Sequence, residues 1–157
     1  MNKISLTTEI NSPKERCFNL CRSVDLHIKS ASKTKEKAIA GVTTGLMGPD
    51  DFVTWEAVHF GIKQQLTVKI MTFDSPNHFR DSQIKGIFKT FIHDHYFEEK
   101  NGITVMRDVL YTEYPYGILG VIAGPFINYY LKIFLKQRND VIKRIAESED
   151  WRLFLKQ

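Results

Sequence analysis

Ile4, Leu6, Thr8 and Ile10 alternate with polar residues, the period-two pattern of a half-buried strand over residues 3–10. The pattern then changes. Asn11, Ser12 and Pro13 precede Cys17, Phe18, Leu20 and Cys21. That order predicts a short helix to about residue 21, with Ser12 as N-cap, Pro13 at the first helical position and Glu15 completing a capping box. Val24, Leu26 and Ile28 predict a second short helix over 23–30, and the polar residues 32–36 a turn. Strands are predicted at 37–42, 52–60, 63–73, 78–86, 88–100 and 103–114. The punctuation between them is a glycine-bearing loop at 43–51, Gly61, Asp74-Ser75-Pro76-Asn77 and Asn101-Gly102, all residues with turn chemistry. Pro115 ends the run.

A different spacing follows. Ile127, Tyr130, Leu131, Phe134, Val141, Ile142 and Ile145 recur at intervals of three and four or their sums, the stripe of an amphipathic helix over 124–148. Pro125 is expected in its first turn, where a missing N–H is tolerated. The first half is apolar nearly all round; the second carries Lys132, Lys136, Asn139, Asp140, Lys143 and Arg144. Such a helix needs a broad partner surface. Strand, two small helices, six strands and a terminal helix make an α+β fold. The strands form an antiparallel meander curved around the long helix, with the first strand returning to an edge or closing it. Residues 1–157 are read as one domain with one core.

Composition narrows the functional classes. Apolar residues make up 43% and charged residues 25%, ordinary for a globular chain. The net charge of +4 comes from scattered lysines and arginines, too mild a balance to imply nucleic acid. Residues 116–135 have the length of a membrane span, but Gly117, Gly120, Gly124, Pro125, Asn128 and Lys132 interrupt them, so no stable insertion is expected. The first residues lack the apolar region of a signal peptide. Cys17 and Cys21 lie four apart and read as buried free thiols of a cytoplasmic protein. No sequence motif supplies a nucleophile, a phosphate loop or a zinc-protease pair. No cofactor and no metal is expected, and the oligomeric state is open.

The chemistry-bearing residues concentrate on strands. Alternation over 91–97 puts Phe91, His93, His95 and Phe97 on one face and Ile92, Asp94 and Tyr96 on the other. Imidazoles both donate and accept, so His93 and His95 suit a polar patch that orients a ligand. A metal would need a further ligand from His59, Asp81 or Asp108. Trp55 and His59 share a strand face, and Gln65 and Thr67 share a face of the next strand. Asp108 lies between Met106 and Leu110 on its face and calls for a buried partner. Arg138 interrupts the apolar stripe one turn beyond Phe134 and is a candidate partner for Asp108 or for an anionic ligand group. The apolar, glycine-bearing residues 116–124 read either as a helical turn against the sheet edge or as a lid.

Several short motifs recur in a familiar order. They are Trp55-x-x-x-His59-Phe60-Gly61, Gln65-Leu66-Thr67, Phe73-Asp74-x-Pro76, Gly86-x-Phe88, His93-x-His95-x-Phe97, Asp108-x-x-Tyr111 and Pro115-x-Gly117-x-x-Gly120. Together they resemble the helix-grip fold of the START/SRPBCC superfamily, which includes birch-pollen-allergen relatives, and within it a bacterial ligand-binding branch. The resemblance covers nearly the whole chain. It implies a curved antiparallel sheet of about seven strands gripping the C-terminal helix, with a deep apolar cavity between them. It implies no single chemistry, because the superfamily contains transporters, receptors, cyclases and co-chaperones. The leading expectation is binding of a small hydrophobic or amphipathic molecule, with Trp55, His59, Gln65, Thr67, His93, His95, Asp108, Tyr130, Phe134 and Arg138 as candidate ligand-binding residues. A cyclase, dehydratase or hydrolase using the His/Asp patch is the alternative, as is a protein-interaction module docking through 116–130. No residue is assigned a catalytic role.

Overall fold

Tight turns fold the middle of the chain into a meander. Phe60 and Gly61 have φ of 52° and 75°, and Asn101 and Gly102 have 52° and 78°, the left-handed pairs that two-residue hairpins require. The computed structural model describes residues 1–115 and 117–155, without the side chains of residues 117–122. Its elements are β1 (Asn2–Ile10), α1 (Lys14–Cys21), α2 (Val24–Ser30), β2 (Lys37–Gly41), β3 (Phe52–His59), β4 (Ile62–Asp74), β5 (His78–Lys85), β6 (Thr90–Lys100), β7 (Ile103–Glu113) and α3 (Gly117–Ala146). Short 3-10 turns occupy Ser32–Thr34 and Glu149–Leu153.

The described strands form one antiparallel sheet in the order β1-β7-β6-β5-β4-β3-β2. β1 returns to the edge beside β7, with Ile4 opposite Leu110 and Ile10 opposite Thr104. This is the α+β helix-grip arrangement, one curved seven-stranded sheet around a long C-terminal helix. The core is densest where α1 meets the sheet. Phe18 is fully buried and meets Phe73, Phe79 and Phe97 edge-on at centroid distances of 5.4, 5.5 and 5.4 Å. Each such ring contributes about 1.5–3 kcal/mol by burial, and the edge-to-face geometry adds to it. The C-terminal half of α3 closes the same core with Ile142, Ile145 and Ala146, while Leu135 packs with Ile4 and Leu110 in a second cluster.

Two helix starts differ from expectation. Pro13 has an extended backbone (φ −58°, ψ 145°) and is itself the cap of α1, with no side-chain cap hydrogen bond among the described residues. Ser12 is drawn inward instead, and its carbonyl accepts a 2.6 Å hydrogen bond from Thr104 Oγ1 on β7. Its N–H donates to the Ile10 carbonyl at 2.9 Å, so the expected capping box with Glu15 does not form. α3 begins at Gly117, so Pro125 sits inside the helix rather than in its first turn. There it leaves the carbonyl four residues earlier without its usual N–H. The expected lid or turn at 116–124 is helical backbone from residue 117 onward; Tyr116 and the side chains of 117–122 lie outside the described residues. α2 starts as expected, with Ser23 Oγ accepting from the Leu26 N–H at 3.3 Å.

Candidate functional site

Directly paired residues of an antiparallel sheet share a face. Val53 pairs with Val68, Trp55 with Leu66 and Ala57 with Gln64, and all six line the concave side. Ile127, Tyr130, Leu131, Phe134, Leu135 and Arg138 of α3 face them, spaced by one helical turn. Between helix and sheet lies a cavity of about 1030 Å³. Pockets for small molecules run to about 1,000 Å³. The walls are mainly apolar, and α1 and α2 close one end through Cys21, Val24 and His27.

The closed end holds a buried polar cluster. β6 presents His93 and His95 inward, β7 presents Asp108, β5 presents Asp81, and α3 supplies Arg138 and Asn139. His93 Nε2 donates to Asp108 Oδ1 at 3.0 Å. Asn139 Nδ2 donates to Asp108 Oδ2 at 2.7 Å. His95 Nε2 bonds Asp81 Oδ2 at 3.0 Å. His95 Nδ1 lies 2.9 Å from Asp108 Oδ1, while its hydrogen-bond direction meets Cys21 Sγ at 3.4 Å. Arg138 Nη2 donates to the Cys21 carbonyl at 2.8 Å and approaches its sulfur at 3.4 Å. The other guanidinium nitrogen, Nη1, is 3.9 Å from Asp108 Oδ1 and has no hydrogen-bond partner among the described residues.

These contacts separate the charges. Burial opposes ionisation of Asp108, but hydrogen bonds from His93 and His95 overcome it and hold the carboxyl well below its usual range. Asp81 is lowered in the same way, burial being outweighed by the His95 hydrogen bond and the neighbouring imidazoles. For His95, burial is outweighed by Cys21, Asp108 and Asp81, so it holds its proton well above the ordinary histidine range. His93 goes the other way, lowered by burial and by the like charge of His95. Two histidines on one strand thus take opposite roles. Asp81, His93 and His95 also bring ligand atoms within 4.8 Å of one another, near enough to share one cation. Arg138 already supplies positive charge beside them.

A second polar group runs from His27 on the α2 wall past Trp55 to His59 and Tyr130 beside the opening. Glu36 accepts from His27 Nε2 at 3.1 Å, and His27 stacks on Trp55 with centroids 4.1 Å apart. Glu36 Oε2 is buried without a partner among the described residues. His59 Nδ1 and Tyr130 Oη lie 2.7 Å apart. Burial lowers the His59 pKa. Phe60 and Ile62 on the β3–β4 turn, and Phe126 and Tyr129 on α3, are exposed beside this opening.

Nine of the ten residues selected from sequence meet around the cavity: Trp55, His59, Gln65, His93, His95, Tyr130, Phe134 and Arg138 line it, and Asp108 stands directly behind the histidines. Thr67 does not join them. The β3–β4 register pairs Gln65 with Glu56 and Thr67 with Thr54, on the convex face. There Gln65 Nε2 donates to Glu56 at 3.1 Å, and the two threonine hydroxyls are 3.0 Å apart. Gln65 still contributes to the cavity lining, beside the inward residues of β4, Gln64, Leu66, Val68 and Ile70. Sequence reasoning placed Cys21 only as a buried thiol and did not single out Glu36 or Asn139. The place of Arg138 one turn beyond Phe134 was visible; its meeting with Cys21, 117 positions away, was not.

Comparison with known proteins fits this architecture. No family model matches the sequence, and no curated protein matches it. Solved structures do match. A protein from Thermus thermophilus superposes with a TM-score of 0.71 at 16% identity, over 90% of this chain and 97% of that one. A START superfamily protein from Mycobacterium smegmatis gives 0.69 at 10% identity, over 92% and 97%. The major latex-like protein 151 of Panax ginseng gives 0.65 at 13% identity, over 94% and 98%. The shared feature is the fold, the START/SRPBCC helix grip.

Proposed function

We propose that this helix-grip chain binds a small hydrophobic or amphipathic molecule in the cavity between α3 and the sheet. The observation that carries the reading is the cavity of about 1030 Å³ combined with two buried polar atoms, Arg138 Nη1 and Glu36 Oε2, that lack partners among the described residues. Apolar walls favour an apolar body, because burying it releases about 25 cal/mol per Å². Unpartnered buried polar atoms disfavour a purely apolar one, because each costs about 1–3 kcal/mol until it is met. A ligand with an acceptor for Arg138 and a donor for Glu36 relieves both.

Trp55, Tyr130 and Phe134 then bear on the apolar body, and His59, His93 and His95 on its polar groups. Asp108 holds the histidines in place. Two free, buried cysteines support a reducing, cytoplasmic setting. Among the described residues no helix is long and apolar enough to cross a membrane, and neither nucleic acid nor a bilayer enters the reading. Native mass spectrometry of protein purified from its own host tests it. The expected result is a mass excess that departs on denaturation, together with binding of added long-chain apolar compounds. Protein that carries nothing and binds none of a broad apolar panel would remove the reading.

A further inference from the structure

We propose that Cys21 is a nucleophile in the cavity wall, arranged with His95 and Asp81 so that it adds to electrophilic carbonyl ligands, with Arg138 receiving the carbonyl oxygen. The proposal rests on the cavity being a ligand site and names one chemical class of occupant: apolar molecules with a carbon–carbon double bond conjugated to a carbonyl.

The geometry is that of a thiol relay. Cys21 Sγ lies 3.4 Å from His95 Nδ1, and His95 Nε2 lies 3.0 Å from Asp81 Oδ2. A nucleophile, a base and a group that orients the base stand in line. Arg138 Nη2 approaches the same sulfur at 3.4 Å. Two nitrogen donors on groups able to carry positive charge thus face Sγ, and both stabilise negative charge there. The residues come from α1, β6, β5 and α3, so four separate elements hold the arrangement. Cys21 lines the cavity, so its neighbours include the space that a ligand would fill.

Arg138 supplies the independent observation. Its side chain is 8% exposed, it lines the cavity, and Nη1 has no hydrogen-bond partner among the described residues. Its sister nitrogen is the one that approaches the sulfur. One guanidinium can therefore touch the nucleophile and donate to an oxygen bound nearby. That is the placement needed to stabilise charge developing on a carbonyl during addition.

The step balances without a co-reactant. With the sulfur's proton resting on His95, the Sγ lone pair forms a bond to the β-carbon and the carbon–carbon π bond breaks. Its electron pair moves through the α-carbon onto the carbonyl oxygen, where Arg138 Nη1 donates. His95 Nδ1 then gives its proton to the α-carbon as the carbonyl re-forms, and the product is a thioether with His95 neutral. Nothing is oxidised or reduced overall.

Cys17 is the internal comparison. It is fully buried, its sulfur faces the Ser12 carbonyl at 3.9 Å, and burial pushes its pKa up to about 11. It is not among the residues lining the cavity. Two cysteines four positions apart on one helix are thus expected to differ sharply in reactivity.

The test uses the native full chain and N-octylmaleimide, an octyl chain on a conjugated dicarbonyl, followed by intact mass and peptide mapping. The expected result is one addition at Cys21, about ten-fold or more faster than at Cys17 and about ten-fold or more faster than N-ethylmaleimide at the same residue. N-octylsuccinimide, the saturated analogue that cannot accept a thiol, reports plain occupancy by displacing the fluorescent dye 1-anilinonaphthalene-8-sulfonate. Displacement by the succinimide with Cys21 unmodified, or modified no faster than Cys17, overturns the proposal and leaves the apolar-ligand reading standing. Neither occupancy nor addition overturns both. Mapping on the unsubstituted protein needs no variant to fold. In folded Asp81→Asn protein the addition rate should fall about ten-fold or more, and an unchanged rate would remove His95 and Asp81 from the relay.

Discussion

Asp108 accepts from His93 and Asn139 and stands close to His95 and Arg138. Removing it leaves cationic neighbours buried without a counter-charge. Asp108→Ala is therefore expected to cost about 3–5 kcal/mol, read from urea unfolding. The same cluster shapes stability against pH. His95 is raised in the folded state, so its contribution is complete below the unfolded histidine value of about 6.5 and is lost as pH rises through the folded value. Cys17, pushed up to about 11, adds a loss above the unfolded thiol value of about 8.5. His93 and His59 are lowered, so their contributions are present above about 6.5 and fade as pH falls through their folded values. Asp108 and Asp81, also lowered, are complete above about 3.9 and add a further loss below it. Unfolding free energy should peak near pH 6.5 and fall on both sides. A curve still rising from pH 7 to 9 would contradict the assignment of the proton to His95.

At the scale of elements, two glycines separate backbone strain from crowding. Gly61 has φ +75° with nothing near a built Cβ; Gly41 has φ +74° with its Cβ position 2.1 Å from the Phe52 carbonyl oxygen. Gly61→Ala should cost about 1–2 kcal/mol and Gly41→Ala clearly more, because the β2–β3 pairing must also part. Equal losses in chemical denaturation would refute the steric argument. The elements themselves were legible because their signals are local: alternation places His93 and His95 on one face of β6, and Asn101-Gly102 marks its hairpin. The capping box was not, because the Ser12 N–H that Glu15 would accept is donated to the Ile10 carbonyl at 2.9 Å. The facing of β4 was not legible at Thr67, because alternation gives two faces without saying which is inside; the pairing of Trp55 with Leu66 decides it. Cys21 was out of reach for a like reason. Its partners His95 and Arg138 lie 74 and 117 positions away, and no short-range pattern encodes such meetings.

At the scale of the whole molecule, the sheet and α3 enclose a space that packing does not fill. Ala57 sits in the middle of β3, 5% exposed and lining the cavity. Ala57→Phe should put a ring into that space, weaken apolar-dye binding about ten-fold or more, and leave thermal stability equal or higher, since filling a void restores lost contacts. Dye affinity unchanged in folded variant protein would mean that the dye binds elsewhere. The path of the chain has a further consequence. β1 is made first, yet its partner is β7: Asn2 lies opposite Thr112 and Ile10 opposite Thr104. At about 5–20 residues per second of synthesis, roughly a hundred residues separate the two strands, so β1 waits about 5–20 s for its place. A nascent chain must keep that alternating segment from pairing with another copy for the whole interval, and the newborn protein is at its most vulnerable before the mature one exists.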